Sequence, residues 1–207
     1  MSRSIRRCGE KVNIKYCKGD TCVASTEKWK QMKKFIGRKS TRLPHYDYSS
    51  PGYYFVTVCT YNHQCIFGEV INEKMILNKL GDVVQNCWDA IPSHIPDTKL
   101  DAFKIMPNHI HGIIFITDVG VMHASPLRNQ SGPKPRSLGS IVGSFKSACT
   151  NRINRIRNTP GNPVWQRNYY ERVIRDEDEL NQIREYIVHN PLKWDLDRNS
   201  SENIDLV

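Results

Sequence analysis

The sequence predicts an α+β fold of ferredoxin-like type: a β-α-β-β-α-β antiparallel sheet with helices on one face, followed by a further helix near the C-terminal end. Three observations predict it. Four runs rich in β-branched and aromatic residues are separated in turn by a helical stripe, a tight turn and a second helical stripe. One of these runs, MPNHIHGIIFI (Met106 to Ile116), carries two histidines with a single residue between them. A capped amphipathic segment then closes the pattern before Pro191.

The elements follow in chain order. Residues 1–37 show no sustained period beyond a short helical pattern around Glu27 to Ile36, and Pro44 and Pro51 break the lead-in that follows. YYFVTVCTY (Tyr53 to Tyr61) is a strand. Leu77, Leu80, Val83, Val84, Cys87 and Trp88 recur at three- and four-residue steps, which predicts a helix from about Asn78 to Ala90, ended by Ile91-Pro92. Leu100 to Met106 and His109 to Ile116 are two strands around the turn dipeptide Pro107-Asn108, so the histidines lie just past the bend, near a sheet end.

Asp118 to Ser137 is a Pro- and Gly-containing loop. From Leu138 the positions Ile141, Val142, Phe145, Cys149 and Ile153 form a helix stripe, with Lys146, Arg152, Arg155 and Arg157 largely off it. Val164 to Ile174 is the fourth strand. Asp176 as N-cap with Glu179 three residues on starts the last helix, whose buried side is Leu180, Ile183 and Ile187 and which Pro191 stops.

A chain of 207 residues suits one domain with appendages: a basic extension over 1–37, the domain over 38–196 and a tail over 197–207. No apolar run approaches a membrane span and the N-terminus lacks a signal-peptide h-region, so a cytoplasmic, nucleoid-associated protein is expected. Seven scattered cysteines argue for reduced thiols, and Cys17-x4-Cys22 has no second pair to make a zinc site. The net charge of +9 is uneven: residues 1–44 hold 13 Lys/Arg against 3 Asp/Glu, and the remainder is close to neutral. Such an arm suits a phosphate backbone and equally suits a solvated tail.

In a strand, side chains alternate faces, so His109 and His111 share one side and Ile110 takes the other. Two imidazoles at this spacing supply two positions of a transition-metal site, although taken alone such a pair is more often half-exposed surface. Tyr186 and Asn190 are four apart on the last helix and share a face. That makes Asn190, a hard oxygen donor, the candidate third ligand for Mg²⁺ or Mn²⁺, with His189 as the fallback. Tyr186 is then a candidate nucleophile at a phosphate, or a helix tyrosine whose ring fills a groove.

MPNHIHGIIFI, FKSACTNRIN and VWQRNYYERVIRDEDELNQIREYIVHNPLKW together resemble the single-tyrosine HUH transposases that act on single-stranded DNA, and among them the REP-associated tyrosine transposases. The resemblance spans about Arg38 to Trp194. It implies that His109 and His111 are the HUH histidines, Tyr186 the nucleophile and Asn190 the helix-borne ligand, where better known insertion-sequence members carry glutamine. It further implies a divalent metal, Mg²⁺ or Mn²⁺, and nicking and rejoining of single-stranded, hairpin-containing DNA of repetitive palindromic type through a 5′-phosphotyrosine, by a monomer or homodimer.

The DNA-binding candidates are Arg38, Lys39 and Arg42 before the first strand, Lys146 and Arg152 on the second helix, and Trp165, Arg167 and Tyr169 at the fourth strand. Two other readings stay open: a domesticated hairpin-binding protein of the same fold, and a hydrolytic nuclease that leaves Tyr186 without work.

Overall fold

The computed structural model describes residues 42–117 and 134–196; Arg38, Lys39, the extension over 1–37 and the tail over 197–207 lie outside them. Its strands are β1 (Gly52–Cys59), β2 (Gly68–Ile71), β3 (Lys74–Leu77), β4 (Thr98–Met106), β5 (His109–Ile116) and β6 (Tyr170–Ile174). Its helices are α1 (Lys79–Asp89), the single turn α2 (Ile91–His94), α3 (Leu138–Arg157) and α4 (Glu177–His189). The chain continues from α4 as 3-10 helix over Asn190–Leu196. Among the described residues no helix is long and apolar enough to cross a membrane.

The main sheet has the order β4-β5-β1-β6 with every neighbour antiparallel. With β2 and β3 set aside, this is the ferredoxin-like arrangement the sequence predicts. The β2-β3 hairpin is an addition that the sequence pattern hides. Its turn residues Asn72 and Glu73 both have positive φ, 48° and 62°, and a glutamate there lacks the Asn-Gly signature by which such turns are read.

One further boundary differs from expectation. β6 begins at Tyr170 where Val164 is predicted. The predicted strand is interrupted before that point: Trp165 still bridges Thr60, the Gln166 amide donates to the Cys59 carbonyl at 3.0 Å, and the carbonyls of Gln166, Arg167 and Asn168 accept from the Lys146 ammonium. Pro191 ends α4 as predicted, yet the backbone tightens into 3-10 helix without breaking away.

The two sheet faces are both covered. Val56, Val58, Ile110 and Ile114 pack with Val84 and Trp88 of α1 and Ile141 and Phe145 of α3. Phe55, Ile113 and Ile174 pack on the other face with Leu180, Ile183 and Ile187 of α4. The last helix therefore lies across the sheet from the two it follows. Cys87 and Cys149 keep their thiols, as expected, whereas Cys65 is disulfide-bonded.

Gly112 separates His111 from Ile113 and faces α1, where Trp88 and Phe103 stack with ring centroids 4.3 Å apart. A Cβ at Gly112 would lie 2.4 Å from Trp88. The indole would have to move, and it is one of the largest buried side chains. Gly112→Ala is expected to destabilise the fold by about 3 kcal/mol, an overpacking cost in a dense core. Urea unfolding would read it, and an unchanged midpoint would mean that Trp88 yields without cost.

Candidate active site

Strand alternation turns His109 and His111 toward α4, and both are buried, at 0% and 2% exposed. Their Nε2 atoms converge to 3.0 Å. Each Nδ1 is held from behind. Nδ2 of Asn108 donates to the His63 carbonyl at 3.1 Å, which turns Asn108 Oδ1 toward His109 Nδ1 at 2.8 Å. An acceptor there puts the His109 proton on Nδ1 and leaves Nε2 with its lone pair. His111 Nδ1 lies 2.8 Å from Thr57 Oγ1, across the β1–β5 ladder. Asn108 is itself anchored: its carbonyl accepts from the Thr60 amide at 2.8 Å and the Thr60 hydroxyl at 2.9 Å. Outer hydrogen bonds that fix a tautomer and a ring orientation are what metal-ligating histidines generally have.

α4 brings Tyr186 to the pair. Asp176 caps its first turn, accepting from the Glu179 amide at 2.7 Å, and Leu180, Ile183 and Ile187 bury its inner side as predicted. The Tyr186 hydroxyl lies 3.3 Å from His111 Nε2. Its ring meets Phe55 edge-on at 6.1 Å and His111 at 5.1 Å. A phenol oxygen and two imidazole nitrogens thus share one spot.

Asn190, one turn on, is 2% exposed at the end of α4. His189 is exposed, with its Nδ1 2.9 Å from the Glu185 carbonyl, so it faces away from the pair. Among the described residues no group of three or more His, Cys, Asp or Glu is arranged to hold an ion. Among the described residues a third protein ligand would accordingly be of another type, and the buried amide of Asn190 fits that requirement where exposed His189 does not.

The histidine pair fits an octahedral divalent cation. Two nitrogens 3.0 Å apart subtend roughly 90° at an ion about 2.1 Å from each, the angle between neighbouring octahedral positions. Trp194, which the sequence reading did not single out, stacks on His109 with ring centroids 6.0 Å apart and the rings inclined by 27°. Thr57 and Asn108 were also missed as site residues. Asn108 was legible only as a turn residue, and Thr57 is a strand position whose role depends on a partner 54 residues away.

The DNA-binding candidates separate into groups. Arg42, Lys146, Arg167 and Tyr169 line one cavity of about 300 Å³ beside α3, with Gly139, Gly143 and Asn168. Lys146, Trp165 and Arg167 also line a neighbouring cavity of about 350 Å³. Among the described residues no acidic side chain lines either. Lys146, whose ammonium is committed to three carbonyls, shapes this furrow from within, and burial pushes its pKa down. Trp165 is core, packed on Phe67 and Phe145. Arg152 is exposed and lines neither cavity.

Arg42 lies over the rings of Tyr48 and Tyr169, 5.8 and 5.9 Å from their centroids. Beside it is a residue the sequence did not flag. Glu171 is 6% exposed, and the Tyr48 hydroxyl approaches it without meeting hydrogen-bond geometry. Burial pushes its carboxyl up to about 7, while Arg42 holds it from rising further. The folded state then binds a proton that the unfolded chain has lost, so stability falls as pH rises from about 4.5 to about 7. Glu171→Gln is expected to remove a decline on the order of 3 kcal/mol across that window. Urea midpoints at several pH values check this, and equal pH slopes in both proteins would refute it.

No family model matches the chain. A protein of Haemophilus influenzae described as uncharacterised is 45% identical over 167 residues, which cover 78% of this chain and 92% of that one. A solved REP-associated tyrosine transposase bound to a REP hairpin superposes with a TM-score of 0.50 at 16% identity, covering 73% of each chain. At that identity the likeness is one of fold. The chain therefore belongs to one family with the Haemophilus influenzae protein, and its fold is that of a REP-associated tyrosine transposase.

Proposed function

We propose that the protein is a transposase that nicks and rejoins single-stranded, hairpin-containing DNA, with Tyr186 as nucleophile. The observation that carries this reading is the convergence of the Tyr186 hydroxyl, His111 Nε2 and His109 Nε2, successive atoms 3.3 and 3.0 Å apart. A hairpin-binding protein has no need to hold all three together. His109, His111 and Asn190 would hold a divalent cation, Mg²⁺ or Mn²⁺, which when bound supplies Lewis-acid polarisation of the scissile phosphate.

Tyr186 Oη attacks phosphorus and gives up the phenolic proton as the new O–P bond forms. The bond from phosphorus to O3′ breaks, O3′ takes a proton, and the 5′ side stays joined to Tyr186 as a phosphodiester. The bond energy is conserved, so a 3′-hydroxyl of another strand reverses the step and rejoins the DNA. Asn108 and Thr57 keep the imidazoles oriented throughout. The furrow lined by Arg42, Arg167 and Tyr169 offers cations and an aromatic face to unpaired nucleotides.

The test is incubation of the full chain with labelled single-stranded hairpins and Mg²⁺ or Mn²⁺, read on denaturing gels. A labelled band of protein plus DNA is expected; tight hairpin binding with neither adduct nor cut under either ion would identify a binding protein instead. The basic arm has a separate test. Deleting residues 1–37 is expected to lower hairpin affinity and flatten its dependence on salt, without changing which hairpin is preferred. An unchanged salt slope would remove the arm from the interface.

A further inference from the structure

The apolar contacts beneath α4 hold it down without fixing where along the sheet it sits, because hydrophobic burial is non-directional. Directional contacts reach it from both edges of the sheet. On the β4 edge, Arg184 donates to Asp101 in a fork, Nε to Oδ1 at 2.9 Å and a terminal nitrogen to Oδ2 at 2.6 Å. Asp101 can face α4 because the β4–β5 register shifts between Leu100 and Phe103, a bulge of the kind that re-aims a side chain. The Ala102 amide donates to the same Oδ1 at 2.6 Å, and Arg184 holds the Asp101 carboxyl below its ordinary pKa. On the β6 edge, Arg172 pairs with Glu179, whose other oxygen accepts from the Arg175 amide at 2.9 Å. Tyr186, two residues past Arg184, lies over the central strands between these pairs, against Phe55 of β1 and His111 of β5.

Resting on the strand-transfer reading, we propose that Asp101, Arg184, Arg172 and Glu179 are positioning residues: two ion pairs pin α4 to opposite edges of the sheet and so set the reach of the Tyr186 hydroxyl. A one-residue slide of a helix is about 1.5 Å, and a misplacement of that size at a reacting group costs on the order of 100-fold in rate. The pairs are 16–36% exposed, so their contribution to stability is small and their effect falls on geometry. Bidentate guanidinium–carboxylate geometry suits that task, and a lysine would hold the charge without the direction.

The experiment compares wild type with Asp101→Asn, Arg184→Met, Arg184→Lys and the exchange D101R/R184D. It reads single-turnover formation of the Tyr186–DNA adduct, hairpin Kd and Tm. Asp101→Asn and Arg184→Met are expected to slow adduct formation roughly 10- to 100-fold, with Kd within about twofold and Tm nearly unchanged. Arg184→Lys should fall between, and the exchange should regain part of the lost rate. Unchanged adduct rates, or a loss shared equally by Kd, would overturn the proposal. Should wild type form no adduct, the strand-transfer reading fails on its own, and amide hydrogen exchange judges the pins. Faster exchange in α4 of Asp101→Asn, with α3 unchanged, supports them, and unchanged α4 protection overturns them.

Discussion

Tyr186→Phe is expected to abolish covalent attachment to DNA, with cleavage falling by more than about a thousand-fold because the attacking oxygen itself is removed. The change is conservative in every other respect. The phenol oxygen approaches His111 Nε2 at 3.3 Å, and the ring keeps its edge-on contact with Phe55. Loss of such a contact costs about 1 kcal/mol of stability at most. Hairpin affinity should stay within about twofold, since the furrow residues lie on the other side of the sheet from α4. If the variant still cuts, water is the nucleophile and the protein is a hydrolytic nuclease.

His111→Ala should have the second largest effect, eliminating measurable Mn²⁺ binding and, with it, adduct formation. Removing His111 deletes one of the two converging imidazole nitrogens and a neighbour of the Tyr186 hydroxyl. Thr57→Val provides a graded comparison: it leaves both imidazoles and removes the oxygen 2.8 Å behind His111 Nδ1. A loss of roughly 10- to 100-fold in metal affinity is expected, as for outer partners of metal-bound histidines generally. Calorimetric titration of Mn²⁺ into the three proteins reads both effects. Equal affinities in wild type and His111→Ala would dismiss the histidine pair as a metal site.

Much of the fold was legible because its elements are periodic. The 3.6-residue stripes of α1, α3 and α4 and the alternation around His109 and His111 state which side chains face inward, and Asp176 with Glu179 marks where α4 starts. What periodicity could not reach was contact between distant segments. The β2-β3 hairpin turns on positive-φ residues with no turn signature, and the carbonyls between Trp165 and β6 accept from Lys146, 20 residues upstream of Gln166. The ambiguity between Asn190 and His189 had the same origin. Adjacent residues on a helix end differ by about 100° in direction, and only packing decides which is buried.

The chain by itself determined that His109 and His111 share a face, that Tyr186 and Asn190 share another, and that these lie on a strand and a capped helix, because such relations follow from backbone geometry within one element. Tertiary structure decided that α4 crosses the face of the sheet opposite α1 and α3, which brings Tyr186 over His111 across 75 residues of chain. It also decided that Asn108 and Thr57 stand behind the imidazoles and that Asp101 meets Arg184. None of these has a local signature, since each depends on which buried apolar surfaces meet, and that is settled by the packing of the whole core.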